Sequence, residues 1–160
     1  MEKTRVRVFL DSNVILSGLI SGQGAPRLIL DLLSIGLPNL QGVTGRFNLA
    51  EIERKIARRL PDALPVFNEY LPKLDLEIVP VPFPEELEPF RGMVDDHDLP
   101  ILASAAMGRA DIFVTGDKNL FSRLAAKKAF PIRPLSPADF LDRALPDILS
   151  GEKPPKGKDR

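Results

Sequence analysis

From Val6 to Ile20 the chain reads VRVFLDSNVILSGLI, a largely apolar stretch in which one acid, Asp11, separates two patterns. Val6, Val8, Phe9 and Leu10 predict a short buried strand, and Val14, Ile15, Leu16, Leu19 and Ile20 predict the apolar face of a following helix. A glycine-bearing break, SGQGAP, precedes a second helical pattern, RLILDLLSIG, which Gly36 stops. The segment LPNLQGVTG reads as the next strand, and 46–60 as a helix ended by Pro61. Residues 61–90 are proline-rich: PDALPVFNEYLPKL suggests short helical pieces, and LEIVPVPF an extended or edge strand, because proline cannot donate to a sheet ladder. The last third is more regular, with helices expected over 98–108, 118–128 and near 137–144, a strand over 111–115 and a short extended IRPL.

Strands alternating with helices predict an α/β fold, a single three-layer α/β/α domain around a central, mainly parallel sheet. The expected domain covers 1–145, and 146–160, ending in SGEKPPKGKDR, is expected to be a polar, disordered tail.

Composition narrows the chemistry. At 160 residues with 44% apolar content the chain fits one packed domain. It has no apolar run near the roughly 20 residues that span a bilayer, and MEKTRVRVFLD lacks the features of a signal peptide, so a cytoplasmic protein is expected. With no cysteine, thiol catalysis and cysteine-held zinc or iron–sulfur are excluded, and one histidine leaves little for a histidine metal centre. Any metal must be a hard ion held by oxygen. Net charge is zero, from 22 basic and 22 acidic residues, so only their distribution is informative. Basic residues gather at Arg46, Arg54, Lys55, Arg58 and Arg59, and again at Arg123, Lys127, Lys128 and Arg133. Both clusters read either as solvated helix faces or as a surface for phosphates.

Four carboxylates stand at positions where chemistry is expected. Asp11 follows the first strand, and Asp117 follows the strand IFV in DIFVTGDKN; in parallel α/β sheets ligands bind beyond the carboxyl ends of strands. Asp98 directly precedes an apolar helix with Pro100 in its first turn. Glu51 lies on the 46–60 helix, two residues from a competitor, Glu53; Ile52, Ile56 and Leu60 define the buried stripe and favour Glu51 as the inward acid. Each has a purely structural reading too. Asp11 and Asp98 serve as helix N-caps, Asp117 as a turn residue, and Glu51 as an exposed partner of Lys55. In a parallel sheet the three aspartates converge on one edge. Clustered carboxylates raise one another's pKa unless a cation sits among them, and Mg²⁺ or Mn²⁺ suits such oxygen ligands. His97, a lone loop histidine, reads as a bystander.

The combination FLDSNVILSGLI, AEIERKI and DDHDLPILASAAMGRADIFVTGDKNLF resembles the PIN-domain family, metal-dependent ribonucleases that include VapC-type toxins of toxin–antitoxin pairs. The similarity runs from about residue 5 to residue 141, where SPADFL resembles the family's closing helix. The resemblance implies a PIN-like fold and places Asp11, Glu51, Asp98 and Asp117 on the family's catalytic and metal-binding acids. It adds Asp95 as a further acidic ligand and Ser12, Asn13 and Thr115 as supporting polar positions. It also implies an RNA substrate, a small antitoxin partner and a homodimer. On that reading Arg46, Arg54, Arg58, Arg123 and Lys127 supply part of the surface that meets the RNA backbone. Two other functions remain open. One is a non-catalytic RNA- or protein-binding module of the same fold. The other is a haloacid-dehalogenase-type phosphatase, which FLDSNVI also resembles, although that chemistry wants a second aspartate where this chain has Asn13.

Overall fold

A computed structural model describes residues 5–127 and 129–152; residues 1–4, Lys128 and 153–160 lie outside the described residues. Five strands form one sheet in the order β3-β2-β1-β4-β5, and every neighbouring pair is parallel. They are β1 (Val6–Leu10), β2 (Leu40–Gly45), β3 (Glu77–Val79), β4 (Ile112–Val114) and β5 (Arg133–Leu135). The expected edge strand is β3, and Pro134 lies in the opposite edge strand, where its missing N–H breaks no ladder.

Side chains of β1 alternate between two cores. Val6, Val8 and Leu10 pack with Ile15, Leu30, Ile52, Phe140 and Ile148, whereas Phe9 packs with Val43, Leu102, Phe113 and Leu120. On the first face lie α1 (Ser12–Ile20), α2 (Ala25–Ser34), α3 (Arg46–Arg59) and α4 (Leu64–Tyr70). On the second, beyond the short α5 (Pro84–Leu87), lie α6 (Leu99–Met107) and α7 (Lys118–Ala126). Phe9 and Phe113 stack with centroids 5.5 Å apart and planes 9° from parallel, and Phe130 meets Phe113 edge-on at 6.2 Å. Aromatic pairs of this kind add about 0.5–1.5 kcal/mol beyond their buried area.

The C-terminal end departs from expectation. Instead of one helix ending near 144, α8 (Pro137–Asp139) leads into a π-helical turn over Phe140–Ala144 and then α9 (Leu145–Leu149). Pro146 has no N–H to continue the α-helical ladder, and Leu145 N–H bonds five residues back to the Phe140 carbonyl. The folded part therefore passes the expected boundary at 145: Ile148 is fully buried in the first core, and Asn39 Nδ2 donates to its carbonyl at 3.2 Å.

Strand order also fixes where a ligand belongs. From the central β1 the chain builds β2 and β3 on one side and β4 and β5 on the other. Loops leaving β1 and β4 thus diverge at a topological switch point, the usual binding crevice of such sheets. Asp11 and Asp117 follow those two strands.

Candidate metal centre at the carboxyl edge of the sheet

Asp11 is 3% exposed and caps α1, accepting from the Ser12 N–H at 2.8 Å. Its Oδ1 also accepts from Asn48 Nδ2 at 3.4 Å, while Oδ2 accepts from the Thr115 hydroxyl at 2.8 Å and Asn13 Nδ2 at 3.2 Å. Burial pushes its pKa up, the Thr115 and Ser12 bonds oppose this, and the charges of Glu51 and Asp98 add to the rise, giving about 6. The capping role is real, but a cap alone needs neither this burial nor two neighbouring acids.

Glu51 is partly buried on α3, whereas Glu53 is exposed. The Ser12 hydroxyl donates to Glu51 Oε1 at 2.9 Å, and no Glu51–Lys55 ion pair forms among the described residues. The buried stripe of α3 is Asn48, Leu49, Ile52 and Ile56. Leu60 does not belong to it: the helix ends at Arg59, and Leu60 is 49% exposed. Gly45, which hands β2 over to α3, is required by close approach. A Cβ there would lie 2.8 Å from Ser104 Oγ and 2.9 Å from Asn48 Oδ1.

Asp98 makes no side-chain cap bond to α6. It is partly buried with a raised pKa, for which burial is the main cause; Asp117, Asp95 and Glu51 push the same way, and His97 opposes them. The N-cap reading of Asp98 therefore fails geometrically, because the preceding Asp96–Asp98 turn leaves it with helical backbone angles. Asp117 does cap α7, Oδ1 accepting from the N–H groups of Asn119 at 3.0 Å and Leu120 at 3.1 Å. Its own N–H donates to Thr115 Oγ1 at 3.1 Å, so Thr115 ties Asp117 to Asp11.

The supporting residues are joined into the same network. Asn13 Oδ1 accepts from the Gly116 N–H at 2.8 Å and its Nδ2 also reaches Thr115 Oγ1 at 3.4 Å, bridging the β1 and β4 loops. Both ends of that amide are engaged, leaving it in a linking role. Asp95 is exposed and pairs with Arg123 at 2.9 Å. Arg123 thus already has a carboxylate partner, whereas Arg46, Arg54, Arg58 and Lys127 are exposed and make no ion pair among the described residues. His97 Nε2 lies 3.5 Å from Asp98 Oδ1, and Asp95, His97 and Asp98 offer ligand atoms within 4.8 Å of one another. His97 is therefore nearer the acids than a bystander would be.

Asn48 escaped the sequence reading. It is fully buried, and its signal was a carboxamide in phase with Ile52 and Ile56 on an otherwise apolar stripe.

The donor chemistry suits a hard divalent ion: there is no thiol, Asp11 feels the charges of Glu51 and Asp98, and Asp98 feels those of Asp117, Asp95 and Glu51, although among the described residues only Asp95, His97 and Asp98 bring three ligand atoms within 4.8 Å of one another. Asp11 already accepts four protein donors, and the 3.4 Å and 3.2 Å contacts are the weakest of these, the ones a cation would replace.

Comparison with known proteins identifies the family and the fold. The PIN domain family model matches residues 7–119. The fold resembles VapBC2 from Rickettsia felis bound to a DNA fragment from their promoter, with a TM-score of 0.54, 18% identity, and coverage of 82% of this chain and 98% of that one. It also resembles VapBC-1 from nontypeable Haemophilus influenzae, with a TM-score of 0.55, 16% identity, and coverage of 83% and 99%. No curated protein matches the chain. At such identities the structural likeness is one of fold, while the family match spans β1 through the start of α7 and includes all four acids: the chain belongs to the PIN-domain family.

Proposed function

We propose that the protein is a metal-dependent endoribonuclease in which Asp11, Glu51, Asp98 and Asp117 hold Mg²⁺ or Mn²⁺. The observation that carries this reading is the placement of the acids: Asp98 caps nothing, Ser12 bonds Glu51 beside the buried Asp11, and Thr115 ties Asp117 to Asp11, while the Asp98 pKa is raised mainly by burial and further by Asp117, Asp95 and Glu51. Holding such groups together without a cation is unfavourable. A divalent ion supplies positive charge at the scissile phosphate and activates water for attack on it. Thr115 and Ser12 keep Asp11 ionised and oriented, and Thr115 fixes the Asp117 backbone beside it. Asp95 is an outer acid, available to the centre when its pair with Arg123 opens.

Glu51, Arg54, Lys55 and Arg58 fall at helical spacings of three and four residues, so α3 carries a basic row leading away from the acids. From Glu51 to Arg58 the axis rises roughly 10 Å, enough for a short stretch of single strand. Arg46, Arg123 and Lys127 extend this surface in the reading. The VapBC neighbours support a role as the toxin of a pair with an antitoxin partner; the homodimer and action in the cytoplasm rest on the VapC-type resemblance alone.

The test is cleavage of an unstructured RNA in Mg²⁺ or Mn²⁺ and in EDTA. Cleavage that needs the ion supports the reading, and equal cleavage in EDTA overturns it. For the basic row, the Arg54→Ala/Arg58→Ala double variant is expected to weaken RNA binding in EDTA. Its slope of log affinity against log salt should be shallower by about 1.4, the loss of two phosphate contacts to a single strand. An unchanged slope returns α3 to the status of a solvated face.

A further inference from the structure

We propose that Asn48 is a positioning residue that holds Glu51 beside Asp11 before any ion binds, an inference that rests on the metal-centre reading above. Asn48 is fully buried in the first turn of α3, yet its Oδ1 has no hydrogen-bond partner. Folding alone favours an apolar residue at such a place, since a buried acceptor without a partner is destabilising. What the amide does accomplish lies on its nitrogen side. Nδ2 donates to Ser12 Oγ at 2.9 Å and to Asp11 Oδ1 at 3.4 Å. The reverse amide orientation would aim Oδ1 at the Asp11 carboxylate, so the donors must face the acids.

The consequence passes through Ser12. Its hydroxyl has one proton, and while Oγ accepts from Asn48 that proton is free to point elsewhere. Two acceptors are in reach: the Asn48 carbonyl at 3.5 Å and the charged Glu51 Oε1 at 2.9 Å. The shorter, charge-assisted bond wins. A directed chain results, Asn48 amide to Ser12 hydroxyl to Glu51 carboxylate, while the same amide also reaches Asp11. One buried side chain thereby ties acids on two elements whose like charges oppose each other. Without it, Glu51, only partly buried, is free to turn toward water.

The experiment is Mn²⁺ binding to the full chain, followed by electron paramagnetic resonance of the free ion, with a melt of each metal-free protein. The set is wild type, Asn48→Leu, Asn48→Ala, Ser12→Ala, Ser12→Thr and the Asn48→Leu/Ser12→Ala double variant. Asn48→Leu, Asn48→Ala and Ser12→Ala should each weaken Mn²⁺ binding about 10- to 100-fold, the usual effect of removing a group that orients a ligand. The double variant should be no worse than the weaker single one, because both break the same chain. Ser12→Thr, which keeps the hydroxyl, should bind nearly as wild type, and Asn48→Leu should melt at or above the wild-type temperature. Wild-type affinity in both Asn48 variants, or losses that multiply in the double variant, would overturn the inference and leave the metal centre standing. Absence of Mn²⁺ binding by wild type would overturn the metal centre and this inference with it.

Discussion

Replacing Asp11 by asparagine is expected to reduce metal-dependent RNA cleavage by about 100-fold or more while the metal-free protein becomes more stable. In the proposed metal centre Asp11 is a direct ligand, and removing one costs at least as much as disturbing the groups around it. The gain follows from burial. Asp11 is 3% exposed and must ionise at neutral pH against a pKa raised from 3.8 to about 6. At 1.36 kcal/mol per unit that is roughly 3 kcal/mol of unfavourable free energy at pH 7. Asparagine keeps the size and the N-cap preference of aspartate, its amide oxygen can still accept from the Ser12 N–H, and its amide nitrogen displaces the weak 3.2 Å contact from Asn13. That figure is already net of the Thr115 and Ser12 bonds, and the amide's imperfect fit among donors placed for a carboxylate returns part of it, so a rise of a few degrees in melting temperature is the expected result. Activity and stability then move in opposite directions. If Asp11→Asn melts well below wild type, or keeps full activity, Asp11 is a structural cap.

The same group sets the pH dependence. Because the folded pKa lies above the unfolded one, the folded state retains a proton between about pH 4 and pH 6 that the unfolded chain has released. This stabilisation is complete below that window and is lost as pH rises through the folded pKa, by roughly 3 kcal/mol in total. Asp98, also raised, acts in the same direction. In EDTA, urea midpoints should therefore carry a component that falls from pH 5 to pH 7.5 in wild type and is absent in Asp11→Asn. With saturating Mn²⁺ the sign reverses, since the ion binds only ionised carboxylates. Parallel pH profiles for wild type and Asp11→Asn in EDTA would contradict this account.

Much of this was legible from local pattern. The run ending at Asp11 reads as a buried strand because β1 is central and covered on both faces, and Asp117 follows the equally buried β4 on the same edge, although it is itself exposed. Glu51 was separable from Glu53 because the helical repeat puts residues two apart on different faces, and only Glu51 is partly buried. What the sequence hid depends on contacts distant along the chain or on backbone detail. Asp98 looks like an N-cap until the 3₁₀ turn before it is seen, and the Asp95–Arg123 pair joins residues 28 apart. Asn48 acquires its role only when α3 docks against the start of α1, and α9 was placed in a tail because its five residues are too few to show a period.

The most direct test of a shared metal site is anomalous scattering at the manganese edge from crystals of the wild-type protein soaked in Mn²⁺. The expected result is one or two peaks among the carboxylates of Asp11, Glu51, Asp98 and Asp117, absent from Asp11→Asn crystals treated alike. A peak confined to the exposed Asp95 and His97 side, or none at all, would contradict the claim that these four acids form the centre.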